Sequence, residues 1–114
     1  MRYVIFIAYE PHDFDSLPED VQAGYFRDHA AFAAYVAKHG STIGSAALAD
    51  ADQATTVRRR GDDVRVTDGP FTQTAEMIGG YYEVELPDLD HAIAAAALLP
   101  DAYSVEIRPT IKIG

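Results

Sequence analysis

Apolar side chains occupy both alternations of Arg2–Tyr9, with Tyr3, Ile5, Ile7 and Tyr9 on one and Val4, Phe6 and Ala8 on the other. That pattern predicts a central strand covered on two sides. The period then lengthens to that of a helix. Ser16 and Glu19 have the spacing of a capping box, Pro18 is tolerated in a first turn, and Gly40 is placed to end the helix in a left-handed conformation. A helix of about 20 residues is therefore expected up to His39, with Val21, Tyr25, His29, Phe32 and Val36 as its inner stripe and Phe26, Ala33 and Ala37 on one shoulder. Short period-2 segments follow at Ile43–Leu48, Thr55–Arg60 and Val64–Thr67, the last two flanking Gly61-Asp62-Asp63, a three-residue hairpin signal.

Asp68-Gly69-Pro70-Phe71 combines a turn-capping side chain, a residue free to adopt positive φ and one with fixed φ, and so reads as a rigid corner. Gly80–Leu86 sets Tyr82, Val84 and Leu86 against Tyr81, Glu83 and Glu85. Asp88 is the N-cap of a second helix with Leu89, Ala92, Ile93, Ala96 and Ala97 as its buried stripe, His91 pointing outward and Pro100 ending it. Tyr103–Pro109 alternates Tyr103, Val105 and Ile107 against Ser104, Glu106 and Arg108.

Strand, helix, strand, inserted hairpin, strand, helix, strand is the split βαβ plan, an α+β ferredoxin-like sandwich with both helices on one face of an antiparallel sheet. The first strand is apolar on both faces, so the uncovered face is expected to meet a second copy in a twofold homodimer. Glu83, Glu85, Glu106 and Arg108 make that face too charged for a dry interface, which points to a wet cleft suited to a small organic molecule.

Length supports one domain over 1–114 with a core that needs no metal or disulfide. The sequence has no Cys, which removes thiol chemistry. The opening segment reads as a strand rather than a secretory leader or membrane span, so a cytoplasmic location is expected. A formal charge of −9 disfavours nucleic acid and anionic membrane as partners. The basic run Arg58-Arg59-Arg60 must alternate faces on its strand and reads as a solvated edge.

Four ordered segments, Ala54-Thr55-Thr56-Val57-Arg58, Asp68-Gly69-Pro70-Phe71, Glu76-Met77-Ile78-Gly79-Gly80-Tyr81-Tyr82 and Glu106-Ile107-Arg108-Pro109, together resemble the DGPF-type YCII-related family. The resemblance spans nearly the whole chain. It implies a dimeric α+β barrel arrangement and a histidine and an aspartate near a cleft, for which His29 and Asp68 are the matching candidates. The chain departs from the family pattern at Gln73 and Ala75, where many members carry Glu and Lys, so no role of that lysine transfers.

A neutral imidazole in the middle of an apolar stripe is suited to acid–base work near pH 7, and a carboxylate such as Asp68 would fix its tautomer. The competing reading is a core histidine bonded to backbone, and for Asp68 a side chain that caps its own turn. Arg58, Glu76, Tyr81 and Arg108 are candidate ligand contacts, the arginines as a carboxylate clamp, with Arg108 also able to pair with a neighbouring Glu. No histidine pair has helical metal spacing, and a metal held by His29, Asp68 and Glu76 is disfavoured, so no metal and no cofactor are expected. The sequence leaves open a cofactor-independent enzyme using His29 and Asp68, a ligand-binding or regulatory accessory module without turnover, and a purely structural dimer.

Overall fold

The computed structural model describes residues 1–114. Its elements are β1 (Arg2–Tyr9), α1 (Glu19–His39), β2 (Ser41–Ala47), β3 (Thr55–Arg60), β4 (Asp63–Asp68), β5 (Met77–Glu85), α2 (Leu89–Ala96) and β6 (Ser104–Pro109), with short 3₁₀ turns at Phe14–Ser16 and Ala51–Gln53. β2, β5, β1 and β6 form, in that order, an antiparallel sheet, while β3 and β4 form a separate hairpin. This is the ferredoxin-like α+β fold predicted from the periodicity.

β1 is central because it is the most apolar strand, and its two alternations divide as expected. Tyr3, Ile5 and Ile7 are buried beneath the helices with Phe32, Val36 and Val84, whereas Val4, Phe6 and Ala8 lie on the opposite face with no layer over them. Phe32, Ile5 and Val36 are wholly buried, each contributing about 2 kcal/mol of hydrophobic stabilisation. No helix is long and apolar enough to cross a membrane.

Several local expectations are corrected. The Ser16–Glu19 capping box does not form, because Ser16 is drawn into the preceding 3₁₀ turn, where its hydroxyl donates to the Asp13 carbonyl at 2.8 Å. α1 starts after Pro18 without a side-chain cap. Gly40 ends the helix with φ −173°, which is extended rather than left-handed. What requires glycine there is space, since a Cβ would sit 1.8 Å from the Glu85 carbonyl oxygen.

The hairpin turn is one residue tighter than expected, with Arg60 opposite Asp63 and Gly61 at φ +57°. β5 begins three residues early because Met77 and Ile78 still pair with β1. α2 is rotated about its axis, burying Ala92 and Ala95 and leaving Leu89 and Ile93 half exposed. His91 is not free in solvent, for its Nδ1 lies 2.7 Å from the Asp88 carboxylate and its ring packs 5.1 Å from that of His39. Asp88 caps α2 as expected, accepting from the His91 backbone N–H at 3.0 Å.

Candidate functional site

The apolar stripe of α1 points His29 at the sheet one turn before the buried Phe32. Tyr82 of β5 and Tyr103, just ahead of β6, stand on the same helix-facing side of the sheet. They meet the imidazole from two directions: Nδ1 is 2.7 Å from the Tyr82 hydroxyl and Nε2 is 2.9 Å from that of Tyr103. Phe32 holds the Tyr82 ring at 4.4 Å between centroids. Tyr9 stacks on Tyr103 at 5.4 Å, and Tyr25 flanks Tyr103 at 5.8 Å.

The stacking of Tyr9 depends on a glycine. A Cβ on Gly79 would fall 2.2 Å from the Tyr9 hydroxyl oxygen, so the bare backbone of β5 is what lets that ring lie across it. Gly79 thus makes room for a side chain of the site itself.

Two adjoining cavities open around these rings. The smaller, about 230 Å³, is bordered by His29, Tyr82, Tyr103, Tyr9 and Tyr81. The larger, about 730 Å³, shares Tyr9, Gly79 and Tyr103 with it and extends past Tyr25 and Phe14 to the loops before α1 and after β2. Tyr103 therefore stands between the two.

Burial lowers the His29 pKa, and the nearby Asp28 carboxylate only partly opposes that shift. The imidazole is neutral at physiological pH. Burial also raises the pKa of Tyr82; that of Tyr103 is pushed up to about 12, first by burial and then by the neighbouring phenols. A neutral imidazole has one N–H donor and one bare nitrogen. One tyrosine must then donate its O–H to His29 and the other accept from it, so either tautomer leaves one phenol with a proton to offer elsewhere.

The remaining candidates lie away from this cluster. Asp68 ends β4 opposite Thr55, borders neither cavity and makes no hydrogen bond or ion pair with His29. The corner behind it is pinned by Gly69 N–H to the Ala54 carbonyl and by Thr56 Oγ1 to the Gly69 carbonyl, both at 2.7 Å, with Gly69 at φ +97°. Glu76 accepts from Ser104 Oγ at 2.7 Å. Tyr81 borders the smaller cavity.

Arg58 sits directly opposite Arg65 on the hairpin, beside Arg60 and Asp63, and Arg108 is 3.9 Å from Glu106 on the exposed sheet face. Tyr82 and Tyr103 as partners of His29 are what sequence reasoning missed. Their signal was present in the alternations Tyr82-Val84-Leu86 and Tyr103-Val105-Ile107, because a phenol on a helix-facing position needs a polar partner for its hydroxyl.

Fold and site together define a ferredoxin-like α+β protein whose cleft centres on a neutral histidine held between two tyrosines. The chain belongs to the YCII-related domain family, whose sequence model matches residues 1–112. It is also similar to an uncharacterised protein of Rhizobium meliloti (strain 1021), 35% identical over 68 residues. That alignment covers 56% of this chain and 55% of the relative, so it spans about half of each.

Proposed function

We propose that the protein is a cofactor-independent acid–base catalyst acting on a small organic molecule, with His29 as the proton acceptor and Tyr103 as the group that meets the substrate. The observation that carries this reading is that both imidazole nitrogens of a neutral His29 are engaged by tyrosine hydroxyls, one of which, Tyr103, faces both cavities. A histidine serving only the core would be bonded to backbone and sealed.

In the working tautomer Nδ1–H donates to the Tyr82 oxygen and Nε2 accepts the Tyr103 O–H. A substrate proton passes to the Tyr103 oxygen as Tyr103 hands its own proton to Nε2. His29 becomes an imidazolium that Tyr82 and the charge of Asp28 stabilise, and it returns the proton to a second atom of the substrate by the same route. The net change is a proton shift, the chemistry of isomerisation or enolisation. This assignment gives the carboxylate role expected for Asp68 to Asp28 and the two phenols.

The same reading makes the active form a homodimer. A compact 12.4 kDa monomer exposes about 6,100 Å², whereas this chain exposes 8066 Å², about a third more. Its radius of gyration is 16.3 Å against roughly 13 Å for a compact chain of this length. The bare sheet face carrying Val4, Phe6 and Tyr81 is the surface a second copy would cover.

Incubation with a panel of small carbonyl compounds in D₂O, followed by proton NMR, tests the catalysis. At least one compound should lose an activated C–H about 100-fold faster with wild type than with His29→Gln or Tyr103→Phe. Equal rates for all three proteins contradict the proposal. Compounds that raise the Tm without exchanging favour a binding module instead.

A further inference from the structure

The larger cavity has a consistent chemical character. Its inner wall is aromatic: Tyr9 and Tyr103 are stacked, Tyr25 lies beside Tyr103, and Phe14 meets Tyr25 edge-on at 5.6 Å. No Lys or Arg borders it, and its one basic side chain is His12, whose ring meets Tyr9 edge-on at 5.5 Å. Its rim carries Asp13 and Asp15 from one loop and Asp50 and Asp52 from the other. None of these four carboxylates has a cationic partner in the chain, whose ion pairs all lie elsewhere. At about 730 Å³ the space suits an organic molecule rather than a bare ion.

Phenol faces present negative potential, so a cation over them is attracted and an anion repelled. The rim adds to the same preference at longer range, and the chain's formal charge of −9 adds a background of the same sign. We infer that the substrate of this cleft is a cationic organic amine, its ammonium group lying against the Tyr9–Tyr25–Tyr103 wall beneath the four aspartates. This rests on the acid–base reading only for the word substrate. The charge preference belongs to the cavity and holds whether or not turnover occurs.

Three probes of one shape separate charge from size: 3-phenylpropan-1-amine, 3-phenylpropan-1-ol and 3-phenylpropanoate, titrated into the full-length protein at low salt and followed by ¹H–¹⁵N NMR. The amine should bind about tenfold more tightly than the alcohol, the carboxylate more weakly than either, with shift changes centred on Tyr9, Tyr25 and Tyr103. The double variant Asp50→Asn/Asp52→Asn, both at exposed positions, should bring the amine toward the alcohol and leave the alcohol unchanged. Tyr25→Leu should weaken the amine most. Equal or tighter binding of the carboxylate, an amine affinity indifferent to the aspartates, or no site-specific binding by any probe at millimolar concentration overturns the inference. Failure of the proton-shift reading appears separately, as exchange unaffected by Tyr103→Phe while the amine preference persists.

Discussion

Replacing Tyr103 by Phe removes one oxygen from the site and little else. The ring keeps its stack on Tyr9 and its contact with Tyr25, so the packing contribution survives. What is lost is the 2.9 Å hydrogen bond to His29 Nε2. A neutral hydrogen bond contributes about 1 kcal/mol net, and a ring nitrogen left dry costs 1–3 kcal/mol more in a sealed core. Here the imidazole is half-buried and borders a cavity, so water reaches the vacated position and the loss should stay near 1 kcal/mol, about 4 °C in Tm for a chain of this size.

The same water relieves the burial that lowers the His29 pKa. His29 in Tyr103→Phe should therefore titrate at higher pH than in wild type. Urea unfolding gives the stability, histidine ¹³C–¹H NMR the titration, and absorbance at alkaline pH should lose its latest-titrating phenol, the one near 12. Tyr81→Phe, which removes a hydroxyl that makes no hydrogen bond to His29, is the control. An unchanged His29 titration together with wild-type stability would refute the hydrogen-bonded relay.

Other consequences follow from individual residues. Because the fold depresses the His29 pKa, the unfolded chain takes up a proton that the folded chain resists; the stability from this group is complete above about pH 6.5 and declines as pH falls toward the folded pKa. A Tm–pH profile of His29→Gln should lack that acid-side slope. Gly40→Ala drives a Cβ into the Glu85 carbonyl and should cost about 3 kcal/mol by chemical denaturation, whereas Gly44→Ala meets nothing within 4 Å and should be neutral or slightly stabilising. Arg58→Glu replaces a like-charge cross-strand pair with Arg65 by an opposite-charge one and should raise the Tm by about 1–2 °C at low salt, an increment that salt abolishes. Wild type should sediment as a dimer, and Phe6→Arg on the bare sheet face as a monomer with the helix-side core intact.

The fold was legible because its periods do not compete. The two-sided apolar run of β1, the stripe of Phe32 and Val36 and the N-cap Asp88 each have one consistent solution. The errors fall where local chemistry has two. Ser16 can cap a helix or close a 3₁₀ turn, and Asp13 decided it. Gly40 can serve by conformation or by lack of volume, and only the distance to Glu85, a residue far along the chain, distinguishes them. α2 is so rich in alanine that several stripes fit it equally well.

In the site, His29 was visible as a polar residue at the centre of an apolar stripe. Its partners were not, because Tyr82 and Tyr103 lie 53 and 74 positions away and tyrosine satisfies a hydrophobic pattern as readily as a polar one. Asp68 drew notice through the rigidity of its corner, and a rigid corner requires no catalytic aspartate. The family resemblance pointed to a histidine near a cleft but said nothing of the phenols that surround it here.

Titrating the His29 imidazole by ¹⁵N NMR reads the tyrosine–histidine relay itself, since nitrogen shifts report charge and tautomer together. The imidazole should titrate below the ordinary 6.5, its neutral form showing one pyrrole-like and one pyridine-like nitrogen, and both Tyr82→Phe and Tyr103→Phe should move that titration. A ring that protonates at or above the ordinary histidine value, indifferent to either tyrosine, would contradict the relay.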